Sequence, residues 1–127
     1  MAVNYKYSTG PVENSVNVDT TFTPPGASSF VFVKALNNST CNNVRVRVKL
    51  FELNGAKRLL TDRLLTLSRF QSDFVILEVA SLAQYEVQIL TGNRKVLVSV
   101  WGKNADGQLV AAQRFTQREL TKVKIKR

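Results

Sequence analysis

The chain has no histidine, one cysteine, one methionine and one tryptophan among 127 residues. Without histidine it lacks the side chain that most often exchanges protons near neutral pH, and the commonest transition-metal ligand. Cys41 cannot form an intrachain disulfide, and with no second thiol or imidazole no transition-metal ligand set can be written, so no cofactor is expected. It reads either as an inert thiol at a loop-to-strand junction or as one half of an intermolecular disulfide. No window approaches the roughly 18 apolar residues of a membrane-spanning helix. The opening stretch MAVNYKYSTGPVENS has neither an apolar h-region nor a small-residue cleavage site, so it predicts no signal peptide and synthesis in the cytoplasm.

Acids are scarce as well. Nine Asp and Glu face 18 Lys and Arg, a formal net charge of +9, which favours polyanions or an acidic protein surface as partners. The carboxylates are scattered singly, so paired acid–base chemistry has no sequence signature. The glycine-containing turns never form a dinucleotide or phosphate-loop pattern, and Asn104-Ala105-Asp106-Gly107 lacks the further acids of a calcium loop. The expectation is a non-enzymatic protein. Asn37-Asn38-Ser39-Thr40 contains overlapping glycosylation acceptors, which carry weight only in an exported protein.

What is present is period-two alternation. In VRVRVKLFEL, Val44, Val46, Val48 and Leu50 share one face while Arg45, Arg47 and Lys49 share the other, and Asn54-Gly55 supplies the positive-φ dipeptide of a tight hairpin. RLLTDRLLTL, whose paired leucines also suit a helix, then reads as the returning strand. FQSDFVILEV, YEVQIL, KVLVSVW, QLVAAQRF and a final alternating segment from Leu120 continue the rhythm, with Thr91-Gly92-Asn93-Arg94 as a second hairpin loop and SLAQ as a short helical turn. Trp101 lies on the opposite parity from Val96, Val98 and Val100, which predicts that it faces outward or follows a bulge at Gly102. Turn signals every eight to twelve residues predict an all-β, single antiparallel β-sandwich, immunoglobulin-, fibronectin-III- or CARDB-like or jelly-roll-like, with an extended N-terminal arm.

The domain reading is an arm over residues 1–27 with a hinge at Pro24-Pro25-Gly26, a core over 28–117 and a basic strand or tail over 118–127. The arm carries weak β character through Val3, Tyr5, Tyr7, Val16, Val18 and Phe22, and is slightly acidic. The tail RELTKVKIKR is strongly basic. An open sandwich has unpaired edges, and an arm beyond a hinge suits adding a strand to a neighbour, giving a fibre or other homopolymer. The alternatives are that the arm folds back as the first strand of its own domain or frays. A second expectation is a polyanion-binding module, for nucleic acid or an anionic wall polymer, with Arg45, Arg47, Lys49, Lys122, Lys124 and Lys126 as contacts. The residues alternating with these cations are aliphatic, so no stacking surface accompanies either row. Each row equally reads as the solvated face of a strand.

SSFVFVKALNNST, NNVRVRVKLFELNG, SRFQSDFVILEV, YEVQIL and KVLVSVWGKNADGQL resemble CARDB and fibronectin-III-like adhesion sandwiches over roughly residues 28–110. YSTGPV, YEVQI and VLVSVWGKNADGQLVAAQR resemble small leaderless proteins of spore-forming Firmicutes. That resemblance implies a protein deposited on a spore or extracellular surface when the mother cell lyses, and it brings no catalytic or binding residues with it. Subunits of spore-surface fibres are often cross-linked by several cysteines. A chain with one cysteine would have to be held together by strand exchange.

Overall fold

Each alternating run buries one face. In the strand Val44–Leu53 the side chains of Val44, Val46, Val48 and Leu50 are buried, while Arg45 and Arg47 reach solvent. Full burial of such an aliphatic side chain contributes about 1.5–3 kcal/mol. The same arithmetic selects Val31, Val33 and Ala35 from one run and Val96, Val98 and Val100 from another. A computed structural model describes residues 3–14 and 27–126.

The strands are β1 (Val3–Ser8), β2 (Val12–Glu13), β3 (Phe30–Asn37), β4 (Val44–Leu53), β5 (Lys57–Leu67), β6 (Ser72–Glu78), β7 (Gln84–Thr91), β8 (Val96–Lys103), β9 (Leu109–Phe115) and β10 (Thr121–Lys126). They form two antiparallel sheets. Sheet A runs β10-β1-β7-β4-β5, with β2 also paired to β7, and sheet B runs β6-β3-β8-β9. Inward side chains of both sheets meet in one apolar core. The edges β5 and β6 adjoin on one side of the stack, lining a groove through Leu64, Leu65, Phe74 and Ile76. On the other side β9 passes into β10 through the 3-10 turn Gln117–Glu119.

Asn54-Gly55 closes the β4–β5 hairpin, with Gly55 at φ +76, a left-handed conformation that glycine adopts without a Cβ clash. The paired leucines of β5 lie in that strand, not in a helix. SLAQ is a turn in which the Leu82 N–H donates to the Val79 carbonyl. Thr91–Arg94 departs from the hairpin expectation. It joins β7 of sheet A to β8 of sheet B, because β8 pairs with β3 and β9. Trp101 faces outward, and the β8–β9 register also shifts between Trp101 and Lys103.

The N-terminal segment differs from the extended arm as well. Val3–Ser8 is an interior strand, paired to β7 on one side and to β10 on the other, and Tyr7 is 1% exposed in the core. Left outside, it would leave both neighbours with unpaired backbone and remove a buried aromatic, so folding back is strongly favoured. Val16, Val18, Phe22 and the Pro24-Pro25-Gly26 hinge lie outside the described residues. The basic segment is strand β10, an edge of sheet A, and it pairs antiparallel with β1 from Val3 opposite Lys126 to Ser8 opposite Thr121.

Candidate functional site

The cation row of β4 lies on the outer face of sheet A. Arg45, Arg47 and Lys49 line a shallow groove of about 310 Å³ with Asn4, Leu64 and Leu90. Lys6 shares the face, since Leu90 stands opposite both Lys6 and Arg47. Part of this charge is answered locally: Arg47 donates to both carboxylate oxygens of Asp62, at 3.0 and 3.1 Å. Further along the face Lys57 pairs with Glu86 at 2.9 Å and lies 4.4 Å from the centre of the Phe51 ring. Burial alone would raise the Glu86 pKa. Hydrogen bonds donated by Ser8, Lys57 and Gln88 outweigh it and hold the carboxyl below its ordinary range.

The second row does not extend the first. Lys122 stands opposite Tyr7 and Lys124 opposite Tyr5, so both take the face of the inward-pointing tyrosines, while Val123 pairs with Lys6 on the outer face. The Lys122 ammonium lies 4.9 Å from the Tyr5 ring centre and 5.9 Å from that of Tyr7. The two rows therefore sit on opposite faces of sheet A and cannot form one rail. Lys126 pairs with Val3 through the backbone at the end of the edge.

A feature absent from the sequence expectations is the outer face of sheet B. Cross-strand registry sets Ile76, Phe32, Trp101 and Arg114 in one row over all four strands, with Phe74, Lys34 and Ser99 in the next. Phe32 and Phe74 stack with ring centres 5.8 Å apart, and the Lys103 ammonium lies 4.2 Å from the Phe32 ring centre. The Trp101 indole N–H donates to Ser99 Oγ at 2.7 Å, which fixes the ring against the sheet. Phe74 is 48% exposed, and Leu97, Ile76 and Leu109 are exposed too. The sequence signal was SSFVFVKAL, where both parities are apolar, so the face away from the core must be apolar as well.

Buried polar groups close the ends of the stack. The Asn14 amide nitrogen lies 3.0, 2.9 and 3.0 Å from the carbonyls of Ser28, Val79 and Leu82, and its oxygen accepts from the Ser28 N–H at 2.7 Å. Gln113 donates to the same oxygen and accepts from the Tyr85 hydroxyl. Tyr85 is fully buried, and burial pushes its hydroxyl far above the ordinary range. A Cβ on Gly102 would overlap Ser28 Oγ and come within 2.9 Å of Gln113 Cβ. At the other end of β3, Asn37 donates to the carbonyls of Cys41 and Ser68 and accepts from Ser39. The Asn37 amide is buried, which leaves no room for a glycan there, whereas Asn38, the second acceptor, is exposed.

Cys41 is exposed. Among the described residues no three His, Cys, Asp or Glu side chains cluster as metal ligands, and no helix is long and apolar enough to cross a membrane. No family model, curated protein or solved structure matches the chain.

Proposed function

We propose that the protein is a non-enzymatic structural subunit, a β-sandwich that assembles head to tail with copies of itself. The observation that carries this reading is the unlike character of the two sides. One side brings edges β5 and β6 together, with Asp62, Asp73 and Glu78 balancing Lys57, Arg58 and Arg63 and with exposed Leu59, Leu64, Phe74 and Ile76. The opposite side brings β9 and β10, whose charged residues are Arg114, Lys122, Lys124 and Lys126. Among the described residues no ion pair engages Asp73 or Glu78.

An edge strand with unpaired backbone groups is a template for another strand. β10 and β6, at 6 and 7 residues, match in length and differ in charge sign, so β10 of one copy suits β6 of the next. Donor and acceptor lie on different sides of one molecule, so the contact is heterologous and propagates into a ring or fibre. Strand addition by residues 3–8 would first require β1 to leave both β7 and β10, which makes edge pairing the simpler route. The resemblance to proteins of spore formers supports a spore or cell surface as the setting.

The test is light scattering and electron microscopy of the purified chain. Wild type should form rings or fibres. Lys122→Glu with Lys124→Glu should disperse them, and so should Asp73→Lys with Glu78→Lys. Mixing the two dispersed variants should restore assembly, because each then offers the edge the other lacks. Monodisperse particles of 14.2 kDa from wild type at all concentrations would sink the proposal.

A second reading, a polyanion-binding module, is favoured by the convergence of Lys6 with Arg45, Arg47 and Lys49 on one face. Heparin retention that survives reversal of the three β4 cations would exclude that face.

A further inference from the structure

We infer that the outer face of sheet B binds single-stranded nucleic acid, stacking bases on its aromatic side chains around a phosphate held by Lys34. The inference goes beyond self-assembly and does not depend on it.

Two hollows meet on this face. One, of about 450 Å³, is lined by Lys34, Leu36, Phe74 and Leu97, with the Asp73 carboxylate at its β6 rim; the other, of about 300 Å³, by Lys34, Trp101, Lys103 and Leu109. Lys34 belongs to both. An aromatic ring therefore stands in the hollow on each side of a shared cation, an arrangement complementary to two bases flanking a phosphodiester. Strand spacing of about 4.8 Å across the sheet and about 6.6 Å between alternate residues sets the pitch of the platform. Phe32, stacked on Phe74 and beneath the Lys103 ammonium, continues it toward Arg114. Aromatic platforms beside cations are how sequence-tolerant proteins hold unpaired strands, and on this face Lys34, Lys103 and Arg114 supply the cations. Duplexes do not fit, because their bases are stacked on each other.

A second copy of the chain is the rival occupant. A two-fold pairing of these faces would bury Lys34 and Lys103 of both copies in one desolvated interface, which is costly. The two occupants also respond oppositely to salt. Contacts to phosphate weaken as ions compete, whereas burial of apolar surface does not.

Trp101 is the only tryptophan, so its fluorescence reports this face directly. The experiment titrates the full chain with a 12-nucleotide oligothymidylate, the matching duplex and heparin at several salt concentrations. The expected result is quenching by the single strand, weaker binding by the duplex, and affinity that falls steeply with salt. Phe74→Ser should weaken single-strand binding about 10-fold or more. Lys34→Ala should lower the slope of log affinity against log salt by about 0.7, the value for one phosphate contact on a single strand. Circular dichroism checks that the variants fold, and Leu97→Ser replaces Phe74→Ser if that variant does not. Absence of single-strand binding at 50 mM salt overturns the inference. So does equal binding of heparin with no loss in Phe74→Ser, which would mark bulk charge attraction. Salt-promoted self-association abolished by Phe74→Ser would assign the face to a second copy instead.

Discussion

The outer faces of the two sheets solve the same problem differently. Sheet A covers its core strands with charge: Arg45, Arg47, Lys49 and Lys6, partly answered by Asp62, while Glu86 pairs with Lys57 nearby. Sheet B covers its core strands with rings and aliphatic groups: Phe32, Phe74, Ile76, Leu97 and Trp101, with Lys103 laid over Phe32. A charged face keeps a half-buried sheet solvated, and costs little when any one pair is lost. An apolar face with a few cations is a surface for contact, and its members stabilise each other by packing. The difference teaches that net charge alone does not locate a partner site, since the less charged face offers the better stacking platform.

Four substitutions test that difference. The largest effect is expected for Gly102→Ala, on β8 where its register with β9 shifts. With the Ser28 backbone and the Gln113 side chain fixed in the buried network, the added methyl should cost about 3 kcal/mol in a urea melt. An unchanged midpoint would show that the network yields. Phe32→Ala, at the centre of the sheet B face, should cost about 2 kcal/mol, less than a fully buried ring, and equally at low and high salt.

On sheet A, Glu86→Gln should cost about 1 kcal/mol at pH 7, kept small because the site is partly open to water. Its folded pKa is lowered, so the carboxylate's contribution is present above the unfolded value near 4.3 and is lost as pH falls through the folded value. Wild type and Glu86→Gln should therefore converge as the pH falls through the folded value, and a difference that stays constant on acidification would refute the assignment. Asp62→Asn should be the smallest, under about 0.5 kcal/mol and vanishing in 1 M salt, because Arg47 and Asp62 are both well exposed. A salt-independent loss would mean that the two faces are not so different.

Much of this architecture was legible in the residues. Val44–Leu53 alternates cleanly, and Asn54-Gly55 has few other uses, so that hairpin was fixed by local chemistry. Thr91–Arg94 was misread because a tight turn looks alike whether its strands pair or pass to the other sheet. Only the long-range pairing of β8 with β3 decides. The first strand suffered similarly: Tyr5 and Tyr7 alternate weakly, and their burial depends on β7 and β10, distant in sequence. For the candidate surfaces, the parity of each cation row could be read within its strand. That the rows face opposite ways depends on β1 lying between β10 and β7, which no local pattern encodes. The sheet B face was present as apolar residues on both parities of β3, but its coherence required the register of four strands.

The buried Asn14 network has a practical consequence. Asn14 and Ser28 are held together by direct hydrogen bonds inside the stack, so the chain between them begins and ends at one fixed point. One amide thus clamps the chain at three points, Ser28, Val79 and Leu82, so a single substitution at Asn14 would loosen all of them together.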